Sequence, residues 1–156
     1  NRRGLRLINI QHRQLVALYD HWDQQRGTRA APAPDEVFPE RLVQLVPYIF
    51  FAVPVGDGGD FRFSFAGSRI AEHFSQTIAD RMLTQLDLDD HTAEILASYR
   101  LAADTMTASC ATLEFITHHH RHGKYERLLL PLTYSGRTCD KLLGANSFDF
   151  SVWDAA

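Results

Sequence analysis

Residues 117–136 read THHHRHGKYERLLLPLTYSG, and the fold turns on whether the histidines or the leucines govern that stretch. Alternation along a strand points His118, His120 and His122 to one side and His119 and Arg121 to the other. Three imidazoles at i, i+2 and i+4 span about 13 Å of strand, so the outer two cannot share one ion without a bend. A neighbouring pair, about 7 Å apart, could serve Zn²⁺ or Cu²⁺ if a third group joined, and Glu114 lies in phase with them. Gly123–Lys124 marks a turn, which places the cluster at a hairpin tip where polar side chains are solvated. The stretch is therefore read as a hairpin first. No metal is assigned, and His118, His120 and His122 stand as the metal candidates. In YERLLLPLTY the leucines fall on both faces of one strand, so neither face is plainly polar.

Working outward, SCATLEFITHHHRH precedes this strand and TCDKLLGANSFDFSV follows it after a turn at Ser135–Gly136, giving a three-strand meander. Upstream, YIFFAVPV and FRFSFAG flank GDGGD, a second hairpin. Phe61, Phe63 and Phe65 alternate onto one face, with Arg62 and Ser64 on the other. Residues 68–87 mix short helical patterns, and residues 89–106 read as a longer helix with Asp89 or Asp90 near its N-cap. Ile95, Tyr99 and Ala102 face its packing partner. Near the start, Leu15, Leu18, Tyr19 and Trp22 form the apolar stripe of a helix that closes at Arg26-Gly27. Asp35 is placed to cap a short helical turn through Leu45, ended by Pro47. The order predicts an α+β domain built on an antiparallel sheet.

Bulk properties agree with one globular domain: 156 residues, 45% apolar and 22% charged. The net charge of −3 hides Arg2, Arg3, Arg6 and Arg13, a basic arm with no acid that reads as a solvated end. The apolar run Leu45–Val55 is far short of the roughly 20 residues a membrane helix needs. NRRGLRLINIQHR lacks the apolar block of a signal peptide, and Cys110 and Cys139 lack CxxC spacing. A cytoplasmic protein with two reduced thiols is expected, touching neither membrane nor nucleic acid.

Catalytic motifs do not emerge. GxSxG and HExxH are absent, and GDGG leads into a strand where a phosphate loop leads into a helix. Glu126-Arg127 reads as cross-strand ion pairing, as does Asp140-Lys141. The chain is read as not an enzyme. What remains is one aromatic face: Phe51, Phe63, Phe65, Phe74, Tyr99 and Phe115 are the residues placed to line a ligand cavity. The helical stripe at the N-terminus must bury against its own sheet or against another subunit.

Trp22 with Arg26-Gly27, Pro47, FRFSFAGS, SQTIAD, YERLLLPL and SGRTCDKLLGA together resemble the PAS-like domain family of alphaproteobacteria, single-domain PAS proteins, over roughly residues 15 to 150. The resemblance implies a PAS-like five-stranded antiparallel sheet with helices on one face plus an N-terminal helix. It divides the chain into a helical extension, 1–30, and a PAS-like domain, 31–156. It implies a stand-alone sensory or regulatory domain that binds a small, mostly apolar ligand or relays a signal through protein–protein contacts. The partners it implies are a second copy of the chain, a small-molecule ligand and a signalling protein; it specifies no cofactor. The rival readings are a ligand-free dimeric interaction adaptor and a metal-binding protein using the His118–His122 cluster. The sequence departs from the family pattern at Ser64, Ser68, Ser75 and Asp80, the last two replacing the glycines of a G-x-D-L-T-G turn.

Overall fold

Five strands form one antiparallel sheet in the order β2-β1-β5-β4-β3, where β1 is Ile49–Val55, β2 Asp60–Ala66, β3 Ser109–Ile116, β4 His122–Leu132 and β5 Lys141–Asp149. The computed structural model describes residues 8–37, 40–57, 59–116 and 122–149, with the backbone alone at residues 40, 41, 115, 116, 122 and 149. Among the described residues three α-helices accompany the sheet: α1 (Arg13–Arg26), α2 (Ser68–Phe74) and α3 (Thr92–Thr105). Short 3₁₀ turns fill the connections.

The centre of the sheet is the long β4–β5 pairing, which runs from Lys124↔Asp149 to Leu132↔Lys141. Both of its faces are buried. Leu128, Leu130 and Leu132 of β4 and Leu143 and Ala145 of β5 pack against Leu15, Leu18, Tyr19 and Trp22 of α1. Leu129 and Leu142 join Phe50, Phe61, Phe63 and Tyr99 on the opposite face, beneath α2 and α3. The stripe of α1 is thus spent on its own sheet. Two polar ties fix it there: the Trp22 Nε1–H donates to the Pro131 carbonyl at 2.8 Å, and Glu126 takes the Gln11 and His12 N–H groups at 2.7 and 2.9 Å. Those N–H groups sit at the start of α1, where no partner exists inside a helix. A sheet carboxylate therefore satisfies them, in place of a capping side chain on the helix itself.

Several local expectations are corrected. Phe65 does not share a face with Phe61 and Phe63. The β1–β2 register shifts between Phe51 and Ala52, so that Phe51 pairs with Phe65 while Ala52 pairs with Phe63. Ser64 is the extra residue of a bulge, and one added residue sends the next side chain to the other face. The β3–β4 register pairs Ile116 with His122 and Phe115 with Gly123, so Gly123–Lys124 lies within β4 and is not its turn. The 3₁₀ turn Pro34–Glu36 is closed by Glu36, which accepts the Ala33 N–H at 2.7 Å, and not by Asp35. Pro47 lies inside the 3₁₀ helix Glu40–Tyr48 and does not end it. Asp89 and Asp90 do lie near the N-cap of α3, which is His91, without a side-chain cap.

Ser75 and Asp80, standing where the family pattern has glycine, adopt φ of 54° and 67°. That region costs a side-chain-bearing residue about 1–2 kcal/mol, whereas glycine enters it freely. The Asp80 carboxylate is exposed and its 3.5 Å pairing with Arg62 is a weak compensation. Asp80→Gly is expected to stabilise the protein by about 0.5–1 kcal/mol, read as a rise in the urea midpoint at unchanged slope. The reverse holds at Gly144, where an added Cβ would lie 1.9 Å from the ring of Phe50. That ring is stacked on Tyr99 and cannot yield. Gly144→Ala is expected to cost about 1–3 kcal/mol in the same measurement.

Candidate functional site

Alternation along β4 and β5 sends Tyr125, Arg127 and Leu129, and Leu142, Gly144, Asn146 and Phe148, to the face covered by α2 and α3. The cover does not close completely. A recess remains, walled by Phe50 and Phe63 of the β1–β2 hairpin, Ile70 and Phe74 of α2, Ile95 and Tyr99 of α3, and Ile78, Leu83, Leu86 and Leu88 of the turns between. Its floor carries Tyr125, Arg127 and Asn146. Its cavity volume is about 40 Å³. At one end Phe50 stacks on Tyr99 at 5.9 Å and 11°, with Phe61 and Phe63 edge-on to the same ring. At the other end the His73 ring lies on Phe148 at 3.7 Å and 25°, and Phe74 meets Tyr125 edge-on.

Gly144 explains how the aromatic end is built. With no side chain at that position, the Phe50 ring drops onto the strand and reaches Tyr99. The polar groups are few, and burial shifts three of the titratable ones. Burial lowers the pKa of His73 to about 4, leaving it neutral at pH 7. Burial raises Tyr99 well above the usual phenol value, against the pull of Arg127, and raises Tyr125 to about 12. Both phenols are therefore protonated donors. Arg127 is 2% exposed, with its guanidinium carbon 5.5 Å from the centre of the Tyr99 ring. Asn146, 4% exposed, lies directly opposite it across the β4–β5 ladder.

Of the residues expected to line a cavity, Phe63, Phe74 and Tyr99 are brought together here. Phe51 and Phe65 are not: they meet at 6.2 Å on the other side of the sheet, where the Lys141 amine lies 5.0 Å over Phe51. The bulge at Ser64 is the cause for Phe65, and the phase of β1 is the cause for Phe51. The side chain of Phe115 and residues His118, His119 and His120 lie outside the described residues, as does the side chain of His122. Among the described residues no three His, Cys, Asp or Glu side chains are grouped to hold a metal. Phe50, Tyr125, Arg127 and Asn146 were not anticipated as lining residues; their phase with Leu129 and Gly144 is the signal that places them.

Among the described residues neither Glu126 nor Arg127 makes a cross-strand ion pair. They point to opposite faces, Arg127 into the recess and Glu126 to α1, where it also binds the His12 Nδ1 at 2.7 Å. Burial works to raise the Glu126 carboxyl, but the N–H groups of Gln11 and His12, the His12 ring and the Cys110 thiol outweigh it and hold its pKa low. Asp140 turns to the loop and accepts the Tyr134 N–H at 2.7 Å. Burial pushes the Cys110 and Cys139 thiols up to about 12 and about 11, so neither is a ready nucleophile.

Residues 10–147 match the PAS domain family, and the chain belongs to it; domains of this family are typically sensory or signalling modules. Solved structures share the fold at low identity. A light-oxygen-voltage domain studied with a flavin analogue superposes at TM-score 0.55 and 8% identity, over 74% of this chain and 87% of its own. A variant of Vivid gives 0.54 and 8%, over 93% and 99%. The PAS domain of BvgS from Bordetella pertussis gives 0.52 and 13%, over 69% and 82%. At these identities the likeness is one of fold alone. No curated protein matches the chain. No helix among the described residues is long and apolar enough to cross a membrane.

The His73 environment sets a pH dependence. Unfolding restores its ordinary value of 6.5, so below that pH the unfolded chain takes up a proton that the folded chain refuses until about pH 4. The stabilisation is fully present above pH 6.5 and is lost as pH falls towards 4. Unfolding free energies measured at pH 7 and pH 5 are expected to differ by about 1–2 kcal/mol from this residue, and His73→Phe should remove that part of the slope.

Proposed function

We propose that this PAS domain is a non-enzymatic sensory or regulatory module that binds a small, mostly apolar ligand between the sheet and α2–α3. Its occupancy is passed on through β4 and α1 to a signalling protein or to a second copy of the chain. The observation that carries this reading is the shared strand. β4 presents Arg127 to the recess and the next residue, Glu126, to the start of α1. Because neighbouring residues on a strand project to opposite sides, a shift that reorients Arg127 also moves the carboxylate that holds α1. The apolar walls and few polar groups fit a ligand site of the usual kind. The chain works in the cytoplasm on this reading, where its two free thiols stay reduced.

The ligand-free adaptor is the second reading, favoured by the modest room: about 40 Å³ admits roughly three waters. Native mass spectrometry of untagged, as-purified protein, compared with its denatured mass, separates the two. A stoichiometric organic mass lost on denaturation is the expected result. A dimer carrying no extra mass would favour the adaptor, and a bound metal ion would favour the histidine cluster.

A further inference from the structure

The floor of the recess holds a polar pair that the fold itself does not use. Arg127 is 2% exposed, and its Nε and Nη1 have no hydrogen-bond partner; the Oδ1 of Asn146, opposite it, has none either. The other described lining residues are aromatic or aliphatic, and none of them is acidic. The Tyr99 ring face, 5.5 Å from the guanidinium carbon, is the partner Arg127 has, and a ring face gives a cation only part of what water gives. A guanidinium cannot shed its proton to escape this environment. A buried cation with two of its nitrogens unmet destabilises the fold unless something supplies the counter-charge.

Resting on the ligand-binding reading above, we propose that the ligand is an organic carboxylate with a small apolar body, its carboxylate held by Arg127 and Asn146. The planar fork of Arg127 matches the two oxygens of a carboxylate, and the charge-assisted bonds form in a site from which water is largely excluded. Asn146 supplies a second polar contact, since an amide can offer either an acceptor or a donor. Phe50, Phe63, Phe74, Tyr99 and the surrounding aliphatic residues take the apolar body. A phosphate monoester shares the sign of charge, but its doubly charged headgroup would meet a single cation among the described lining residues.

The test compares hexanoate, hexan-1-ol and hexylammonium by calorimetry on the full chain stripped of bound ligand by unfolding and refolding. Hexanoate is expected to bind at least about tenfold tighter than hexan-1-ol, with hexylammonium excluded. Arg127→Met should abolish that preference while leaving the ligand-free protein at least as thermostable as the wild type; Arg127→Lys should retain part of it. Hexan-1-ol binding as tightly as hexanoate would overturn the carboxylate assignment and leave the cavity reading standing. No binding by any of the three would overturn both. The wild-type comparison decides the matter even if Arg127→Met does not fold.

Discussion

The strand from Leu128 to Leu132 is buried on both faces, and the rest of the architecture answers that constraint. Leu128, Leu129, Leu130 and Leu132 are all fully enclosed. One sheet with two apolar faces needs two covers, or a large apolar patch meets water. On one side α2, α3 and the turns between them form the cover; on the other, α1 does. The helix ahead of the sheet is therefore a structural part of this domain. The domain's interior is two separate clusters divided by a sheet, each with its own composition: leucines and a tryptophan on the α1 side, aromatic rings on the other.

That division also fixes where chemistry can occur. The α1 side is filled by leucines with Tyr19 and Trp22, and its buried carboxylate, Glu126, is occupied by the Gln11 and His12 N–H groups and the His12 ring. The opposite side combines four buried rings with aliphatic side chains and leaves a recess. A glycine on β5 lets one ring settle against the backbone, while two positions further along the same strand an asparagine stands on the floor. Packing and site come from one alternating pattern on two paired strands.

Much of this was legible in the sequence because it depends on periodicity. The order of elements, the stripe Leu15, Leu18, Tyr19 and Trp22, and the leucines on both faces of β4 all follow from repeats of 3.6 and 2 residues. The glycine positions of the family pattern pointed to Ser75 and Asp80, and both residues adopt positive φ. Features set by a partner strand were not legible. Phe65 looks in phase with Phe63 until the register of β1 forces Ser64 to bulge. The turn read at Gly123–Lys124 rests on local composition, whereas strand pairing puts both residues inside β4, opposite Phe115 and Glu114. Asp35 is the capping residue read from the sequence, and the geometry at Ala33 selects its neighbour Glu36 instead. That no acid stands beside Arg127 among the described residues lining the recess is a statement about three dimensions, and no spacing rule conveys it.

The two ties between α1 and β4 have a mechanical consequence. One joins residues 11 and 12 to Glu126, the other Trp22 to Pro131. Ten helical residues rise about 15 Å, and five strand residues rise about 17 Å, so the anchor points nearly match in length. Helix and strand are lashed together at both ends like two staves with a pair of rungs. A helix resists stretching along its axis, and rungs of fixed length prevent sliding. The remaining freedom is torsional: added twist in β4 rolls α1 about its axis and turns its outward face, converting a small change in sheet coiling into a rotation of the surface the domain presents.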